Sequence, residues 1–443
     1  MTSELRRRLA VAGVWLFAVA LRLPHLARPR VLVFDEIFYA PDAADLLRWG
    51  SEHGQPAHPS LGKWLMAGGI RIFGFTPFGW RVGSVLAGAA ICATVAWVAI
   101  RLCGRITHGV AAGSLVAFDG LVHVTSRLAL LDVFVAAFTT GAVAACIAAW
   151  LAQPDRDRAR RCWWWAVGTM SLGAAVKWSA LAVAPLVLGV GWAIAGRLEA
   201  PGRPRTRRRA VVAAAVLLLP LAALGASVVP RQLGPDRIGP GDHLAEQADV
   251  VRFHRDLRPT NSNAAPAWTW AVQSHPANLL RATCPLEPKG PARVDDPPPT
   301  AGTELRSTVV GDCPNGEWVA RIVAGSNPVV WGLGLLGVAA VLVGALRRRE
   351  DAALLLAAVA AVWLPWLLSP RRSYSFYAVA VVPIMVMTAA WGLSLVPRRW
   401  HSRLVPGAVG LAGLGFVVLW PVWSGWPISP DHARWITRWP GWG

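Results

Sequence analysis

The chain has 443 residues, 54% hydrophobic and only 16% charged, where soluble domains carry roughly 25% charged residues. Its apolar residues come in blocks of roughly 17 to 22, enough to cross a bilayer core as helix, which excludes a soluble all-helical protein. The formal net charge of +19 does not imply nucleic acid, because the arginines sit in short clusters between apolar blocks (6–8, 101 and 105, 156–161, 197–209, 347–349, 398–403) rather than on one basic face.

In chain order, the predicted spans lie near 9–27, 82–100, 109–122, 130–150, 162–178, 180–196, 210–229, 328–346, 352–369, 374–394 and 404–420. The expected fold is therefore an all-α polytopic membrane bundle of about eleven transmembrane helices. The first span follows Arg6, Arg7 and Arg8 like a signal peptide but has no small-residue cleavage site, so it reads as a retained anchor. With the N-terminus cytoplasmic, every arginine cluster falls on the cytoplasmic side, as the positive-inside rule requires. The stretch 162–196 must then cross twice with short helices, and the C-terminal tail, 421–443, lies outside.

Three extracytoplasmic segments stand out. The loop 28–81 contains Phe34-Asp35-Glu36 and His58-Pro59-Ser60-Leu61-Gly62-Lys63. The loop 230–327 is polar and proline-rich and carries Cys284 and Cys313. If that loop faces an oxidising compartment, a disulfide between them closes about 30 residues. The turn Ser369-Pro370-Arg371-Arg372-Ser373 puts two arginines on the side the charge rule leaves bare, which points to an anion held there. Segments 197–209 and 285–303 read as linkers. No internal repeat is evident, so one membrane domain, 1–443, is expected. Its parts are a catalytic N-terminal portion (9–229), the loop 230–327, a C-terminal membrane portion (328–420) and the outer tail.

Composition narrows the candidates further. Lysine is nearly absent: Lys63, Lys177 and Lys289 are the three in the chain, and in so arginine-rich a background each is a candidate. Cys92, Cys103, Cys146 and Cys162 fall within or at the ends of apolar blocks, as small buried hydrophobes do. The 25 tryptophans gather near span ends, as interfacial anchors. The ten histidines never occur at metal-ligand spacing, so no metal site is expected and no cofactor is implied.

Asp35 and Glu36 follow the first span. Acidic residues at a membrane surface are commonly plain solvated charges, but a partly desolvated carboxylate there also suits a general base. The adjacent pair can divide the labour, one taking a proton and the other setting orientation. Arg127, Asp132 and Lys177 lie in otherwise apolar sequence, where a charge costs several kcal/mol unless it is paired. Arg127 and Asp132, five apart, can pair on one helix and simply fix packing; Lys177, beside Trp178, has no local partner. His58, Lys63, Lys177, Arg127, Arg371 and Arg372 together would make an electropositive basin suited to a phosphate. His58 can equally be a structural cap before Pro59. A phosphate at the membrane surface beside a carboxylate base points to a lipid-linked phosphosugar.

The strings Phe34-Asp35-Glu36, His58 to Lys63, Phe78-Gly79-Trp80-Arg81, Phe118-Asp119-Gly120, Ser126-Arg127 to Leu131-Asp132 and Lys177-Trp178-Ser179 occur in one order over residues 30–180. In that order they resemble the protein O-mannosyltransferase family. Pro266 to Trp270, Cys284, Cys313, Asn327 to Trp331 and Ser369-Pro370-Arg371 with Tyr377 and Pro383 are similar to its actinobacterial branch. The resemblance implies a GT-C bundle and mannose transfer from a polyprenyl-phosphate-mannose donor to Ser or Thr hydroxyls of exported proteins, with inversion, at the outer face of the plasma membrane. It also implies that Asp35 is the base beside Glu36. The donor phosphate would be held by Arg127, Lys63, Lys177, Arg371 and Arg372, supported by His58, Asp132 and Trp178. Acceptors would be secreted or membrane proteins, met during Sec export. Ser60 departs from the family's usual proline, and the long loop has no room for the β-trefoil of eukaryotic members.

Three alternatives stand beside this reading. One is a GT-C enzyme with the same kind of donor and a glycolipid or cell-wall glycan acceptor. Another is a lipid-linked sugar transporter, which would show midplane charges and paired broken helices in two related halves. The third is an inactive partner subunit, against which the intact Asp35-Glu36 argues.

Overall fold

The structure, a computed structural model, describes residues 2–54, 57–153, 155–197, 205–230, 239–256, 263–282, 318–369, 372–436 and 438. Arg371, Cys284 and Cys313, and with them the expected disulfide, lie outside the described residues, as does the linker 285–303.

Helices dominate. They are α1 (Ser3–Arg22), α2 (Glu36–Trp49), α3 (Leu61–Phe73), α4 (Pro77–Cys103), α5 (Ile106–Ala117), α6 (Gly120–Arg127), α7 (Leu131–Leu151) and α8 (Arg156–Val176). After a 3₁₀ turn, Trp178–Val183, come α9 (Ala184–Arg197), α10 (Arg205–Ser227) and α11 (Pro240–Asp256). The C-terminal set is α12 (Pro328–Leu346), α13 (Glu350–Leu368), α14 (Val381–Ser394), α15 (Arg398–Ser424) and α16 (Pro430–Ile436). Two small antiparallel pairs join distant segments: β1 (Ala264–Ala265) with β4 (Ser373–Tyr374), and β2 (Ala277–Ala282) with β3 (Ala320–Ala324).

Every expected span has a helical counterpart, but the count of eleven is not reached on length and composition. Among the described residues eight helices are long and apolar enough to cross a membrane, or nine if the bent pair α5–α6 is one span. The other two expected spans are α1 and α8, of 20 and 21 residues. Their first turns are rich in arginine, so they fall short in apolarity and not in length. The segment 28–81 is not a loop throughout: α2 and α3 occupy much of it. The span expected from 82 begins instead at Pro77, where Thr76 caps the helix through Gly79 N (3.1 Å) and proline suits the first turn. The linker 197–209 is likewise shorter than expected, because α10 begins at Arg205.

Carboxylate and amide caps mark three further starts. Asp155 accepts from Arg158 N at 3.0 Å, Asn327 from Val329 N at 3.0 Å, and Asp119 from Val122 N at 3.1 Å, each satisfying a helix N–H that has no partner within the helix. Asp119 does more. Helices α5 and α6 bend by 62° where it lies, and its other oxygen takes the Ser326 hydroxyl and Asn327 N. The kink in the N-terminal portion is thereby tied to the start of α12. Gly120 is required at this bend, since a Cβ would stand 2.2 Å from Gly325 O.

Packing is close between small residues, as suits helices that gain little from the hydrophobic effect in lipid. Helix α7 runs against α8, α4 against α5 and α1, and α12 against α14. At Gly337 a Cβ would come within 2.3 Å of Ala389 N, so α12 and α14 touch backbone to backbone. This frame brings the Asp35 turn, the start of α7, the end of α8 and the segment after β4 to one end of the bundle.

Candidate active site

The Asp35 turn is built by a clamp. Glu36 is fully buried, and its carboxylate accepts four hydrogen bonds: Arg81 Nε (2.7 Å), Arg81 Nη2 (2.7 Å), Val33 N (2.9 Å) and Ala129 N (2.8 Å). Arg81, also fully buried, spends its remaining donors on the carbonyls of Leu26 (3.1 Å), Pro29 (2.8 Å) and Val31 (3.0 Å). A bidentate, wholly satisfied pair of this kind is the form in which charge survives burial. Glu36, expected beside Asp35 in the chemistry, is thus occupied as the anchor of the turn.

Phe34, just before Asp35, has φ of 52°, a left-handed conformation uncommon outside glycine. Its ring meets Tyr374 (5.9 Å) and Phe376 (5.5 Å) edge-on, which holds the turn in place. Asp35 occupies the N-cap position just before α2 but makes no capping bond with its side chain. The residue stays partly accessible, and its carboxylate takes one long hydrogen bond, from the Tyr39 hydroxyl at 3.4 Å. Burial pushes the Asp35 carboxyl up to about 6, against the pull of the Lys177 charge. The neighbouring charge of Asp132 also raises it, and the Tyr39 bond lowers it.

Lys177 sits in the extended residue between α8 and the 3₁₀ turn. Its ammonium bonds Asp132 Oδ1 at 3.1 Å and stands 4.5 Å over the Tyr377 ring, a cation–π arrangement. The sequence offers Lys177 no local partner; the fold supplies one 45 residues away. Asp132, for its part, does not pair with Arg127, because the chain turns between α6 and α7 and the two side chains part. Asp132 Oδ2 and Trp178 Nε1 are buried with no hydrogen-bond partner among the described residues.

Two cations expected in the basin are elsewhere. Arg127 donates to the carbonyls of Arg22 (2.5 Å), Pro24 (2.6 Å) and His25 (3.1 Å), closing the C-terminal end of α1, whose carbonyls lack helical partners. Lys63 is fully buried between Asp42 (2.8 Å) and Glu52, fastening α3 to α2 two helical turns along from Asp35. The basin is therefore smaller than the sequence predicts. His58 does not cap a helix: it stacks on His254 of α11 at 5.1 Å and lies 6.2 Å from Tyr39. His254 bonds Ala57 O at 2.7 Å and is 6.2 Å from Trp178. Arg372 is exposed, next to β4, whose Tyr374 touches Phe34.

The residues that gather are thus Asp35, Tyr39, Asp132, Lys177, Tyr377 and, at the rim, His58, His254, Trp178 and Arg372. Sequence reasoning passed over Tyr39 and His254, and named Arg81 and Tyr377 only for their family likeness. One signal was available: the chain has three tyrosines, and Tyr39, Tyr374 and Tyr377 all lie here. Among the described residues no group of three or more His, Cys, Asp or Glu is placed to hold a metal ion.

A helical membrane bundle with Asp35 and Lys177 gathered at one end has counterparts among solved structures. The fold is similar to a chain of the Saccharomyces cerevisiae protein O-mannosyltransferase Pmt1–Pmt2 complex bound to the sugar donor, with TM-score 0.65 and 13% identity over all of this chain and 93% of that one. It is also similar to ArnT from Cupriavidus metallidurans bound to undecaprenyl phosphate, with TM-score 0.57 and 15% identity over 94% of this chain and 70% of that one. In sequence, residues 76–226 match the family model for dolichyl-phosphate-mannose-protein mannosyltransferase. The polyprenol-phosphate-mannose–protein mannosyltransferase of Mycobacterium tuberculosis is 28% identical over 92% of this chain and 86% of its own length. Its namesake in Corynebacterium glutamicum is 26% identical over 93% and 88%. The chain thus shares the fold of these solved structures and is similar in sequence to protein mannosyltransferases over most of its length.

The clamp gives a test of its own. Arg81→Met leaves the Glu36 carboxylate buried and unpaired, a loss of about 3–5 kcal/mol, and is expected to lower the unfolding temperature in detergent sharply. Asp35→Asn, one residue away from Glu36, is expected to leave it nearly unchanged. Equal unfolding temperatures for Arg81→Met and the unaltered protein would show that the turn does not depend on the pair.

Proposed function

We propose that this protein transfers mannose from a polyprenyl-phosphate-mannose donor to Ser or Thr hydroxyls of exported proteins, with inversion, at the outer face of the plasma membrane. One observation carries the reading. Asp35 is a carboxylate in an otherwise fully bonded turn, left without a structural partner of strength and raised to about 6. Its neighbour Glu36 and the cations Arg81, Arg127 and Lys63 are all consumed in holding the frame. The names of the relatives along most of the chain support the donor and the acceptor class.

In this mechanism Asp35 takes the proton of the acceptor hydroxyl as its oxygen attacks the anomeric carbon. The bond from that carbon to the phosphate oxygen breaks, and the electron pair leaves with the polyprenyl phosphate on the opposite face of the sugar. Lys177, held by Asp132 and the face of Tyr377, meets the growing phosphate charge, an electrostatic task that a fixed, partly buried cation performs well. Arg372, exposed beside β4, completes the phosphate contacts. Glu36 acts through Asp35's position and not on the substrate. The N-terminus is cytoplasmic, which puts the arginine clusters inside and the site outside. Acceptor segments arrive extended, as during Sec export.

The assay is direct. Purified protein is given a Ser/Thr-rich peptide and polyprenyl-phosphate mannose, and the peptide's mass is read for added hexose. Asp35→Asn is expected to lower the rate by about 10²-fold or more with donor binding retained, whereas full activity would remove Asp35 from the chemistry. Transfer to a glycolipid but never to peptide would overturn the acceptor. Lys177→Met is expected to weaken donor binding; an unaltered donor affinity would return Lys177 to a packing role.

The pH dependence follows from the raised carboxyl. A base must be deprotonated to act, so kcat/KM is expected to be level above about pH 6 and to fall roughly tenfold per unit below it. A profile flat down to pH 4.5 would exclude Asp35 as the base.

A further inference from the structure

At the end of the bundle opposite Asp35, a cleft of about 560 Å³ opens between α8, α9 and α10. Four arginines stand around it: Arg156 and Arg160 from the first turns of α8, and Arg207 and Arg208 from the first turns of α10. Both helices point their N-termini at this end, so the positive ends of two macrodipoles add to four guanidinium charges. Among the described residues two acids lie nearby. Asp155 is engaged in capping α8, and Asp157 pairs with Arg160 at 3.2 Å where both are exposed, a contact that water and ions screen.

The cleft's inner part is of another kind. Val211, Val212 and Ile194 line it one turn further into the apolar body of the helices. Trp163 and Trp164 stand beside them, with Trp163 fixed by a bond to Val187 O at 2.9 Å and Trp164 largely exposed. Charge at the rim, apolar wall below and indole rings between match the cross-section of a membrane lipid at the headgroup level. A soluble phosphate would use the rim alone and leave the wall uncovered. Arginine pairs bidentately with phosphate, so four of them suit two phosphates on one headgroup.

We infer that this cleft binds a phospholipid bearing two phosphates, of the cardiolipin class, from the leaflet at that end of the bundle. Helix α8, 21 residues long and so about 30 Å, separates the cleft from Lys177, and the lipid is neither donor nor product. Its role is to draw the N-termini of α8 and α10 together, which would otherwise repel through their arginines.

The full-length protein, purified in detergent and stripped of lipid, is titrated with tetraoleoyl cardiolipin, dioleoyl phosphatidylcholine or inorganic pyrophosphate, and bound species are counted by native mass spectrometry. One cardiolipin is expected to bind at least about tenfold more tightly than phosphatidylcholine, with pyrophosphate unable to displace it. Removing the four charges (Arg156→Gln, Arg160→Gln, Arg207→Gln and Arg208→Gln together) should cost about tenfold or more. Removing four exposed charges elsewhere (Arg347→Gln, Arg348→Gln, Arg398→Gln and Arg399→Gln) should change binding less than about twofold. Val211→Asp, at an exposed wall position, should weaken binding like the first set and serves if that set fails to fold. Equal loss from both sets of arginines would mean general charge attraction; parity with phosphatidylcholine, or displacement by pyrophosphate, would also overturn the site.

Discussion

The Glu36–Arg81 pair is the contact on which the site's geometry rests. An ion pair sealed from water holds only when every lone pair and every N–H is met, and this one meets them by gathering the carbonyls of residues 26, 29 and 31 and the amides of residues 33 and 129. The same bonds that satisfy the pair therefore dictate the path of the chain from the end of α1 to the start of α2. They also bind that path to α4 and to the turn before α7. Asp35 is delivered to its place as a consequence of its neighbour's burial.

A division of labour among the charges follows. In an apolar bundle each charged group must have a partner, and most buried cations find theirs in the frame: Arg81 with Glu36, Arg127 with the carbonyls after α1, Lys63 with Asp42 and Glu52. Lys177 is the exception in kind. Its partner Asp132 keeps one oxygen unbonded, and its other neighbour is an aromatic face, so the pair can turn toward a third group without dismantling the fold. Side chains that hold the backbone and those proposed to meet a substrate lie within a few residues of each other, yet they are different side chains.

This separation explains how far the sequence could be read. Spans were legible because bilayer thickness imposes a block length, but their starts only in part: Thr76 and Asp155 cap helices that begin at Pro77 and Arg156, ahead of the apolar blocks expected from 82 and 162. The importance of Asp35, Asp132 and Lys177 could be seen because charge in apolar sequence is costly. Their partners could not. Lys177 meets Asp132 only through the packing of α8 on α7, and the assignment of Lys63 and Arg127 to a shared basin failed because a cation's address depends on which carbonyls or carboxylates fold against it. The expected spans at 9 and 162 start after the arginines, whereas helices α1 and α8 begin at Ser3 and Arg156 and carry those arginines in their first turns. Tyrosine scarcity was the one unused clue: three residues in so long a chain converge on a single site.

Asp35 stands at the head of α2, where an aspartate ordinarily turns back to bond the first free N–H groups of its own helix and contributes about 1 kcal/mol. Here it forgoes that bond, and the helix begins uncapped. Any change that restored the bond, such as a serine in that place, would make the protein more robust while removing the carboxylate proposed as its base. Selection for thermal resilience alone would thus press against this residue, and a laboratory lineage evolved only for endurance is the setting in which the site would first be lost.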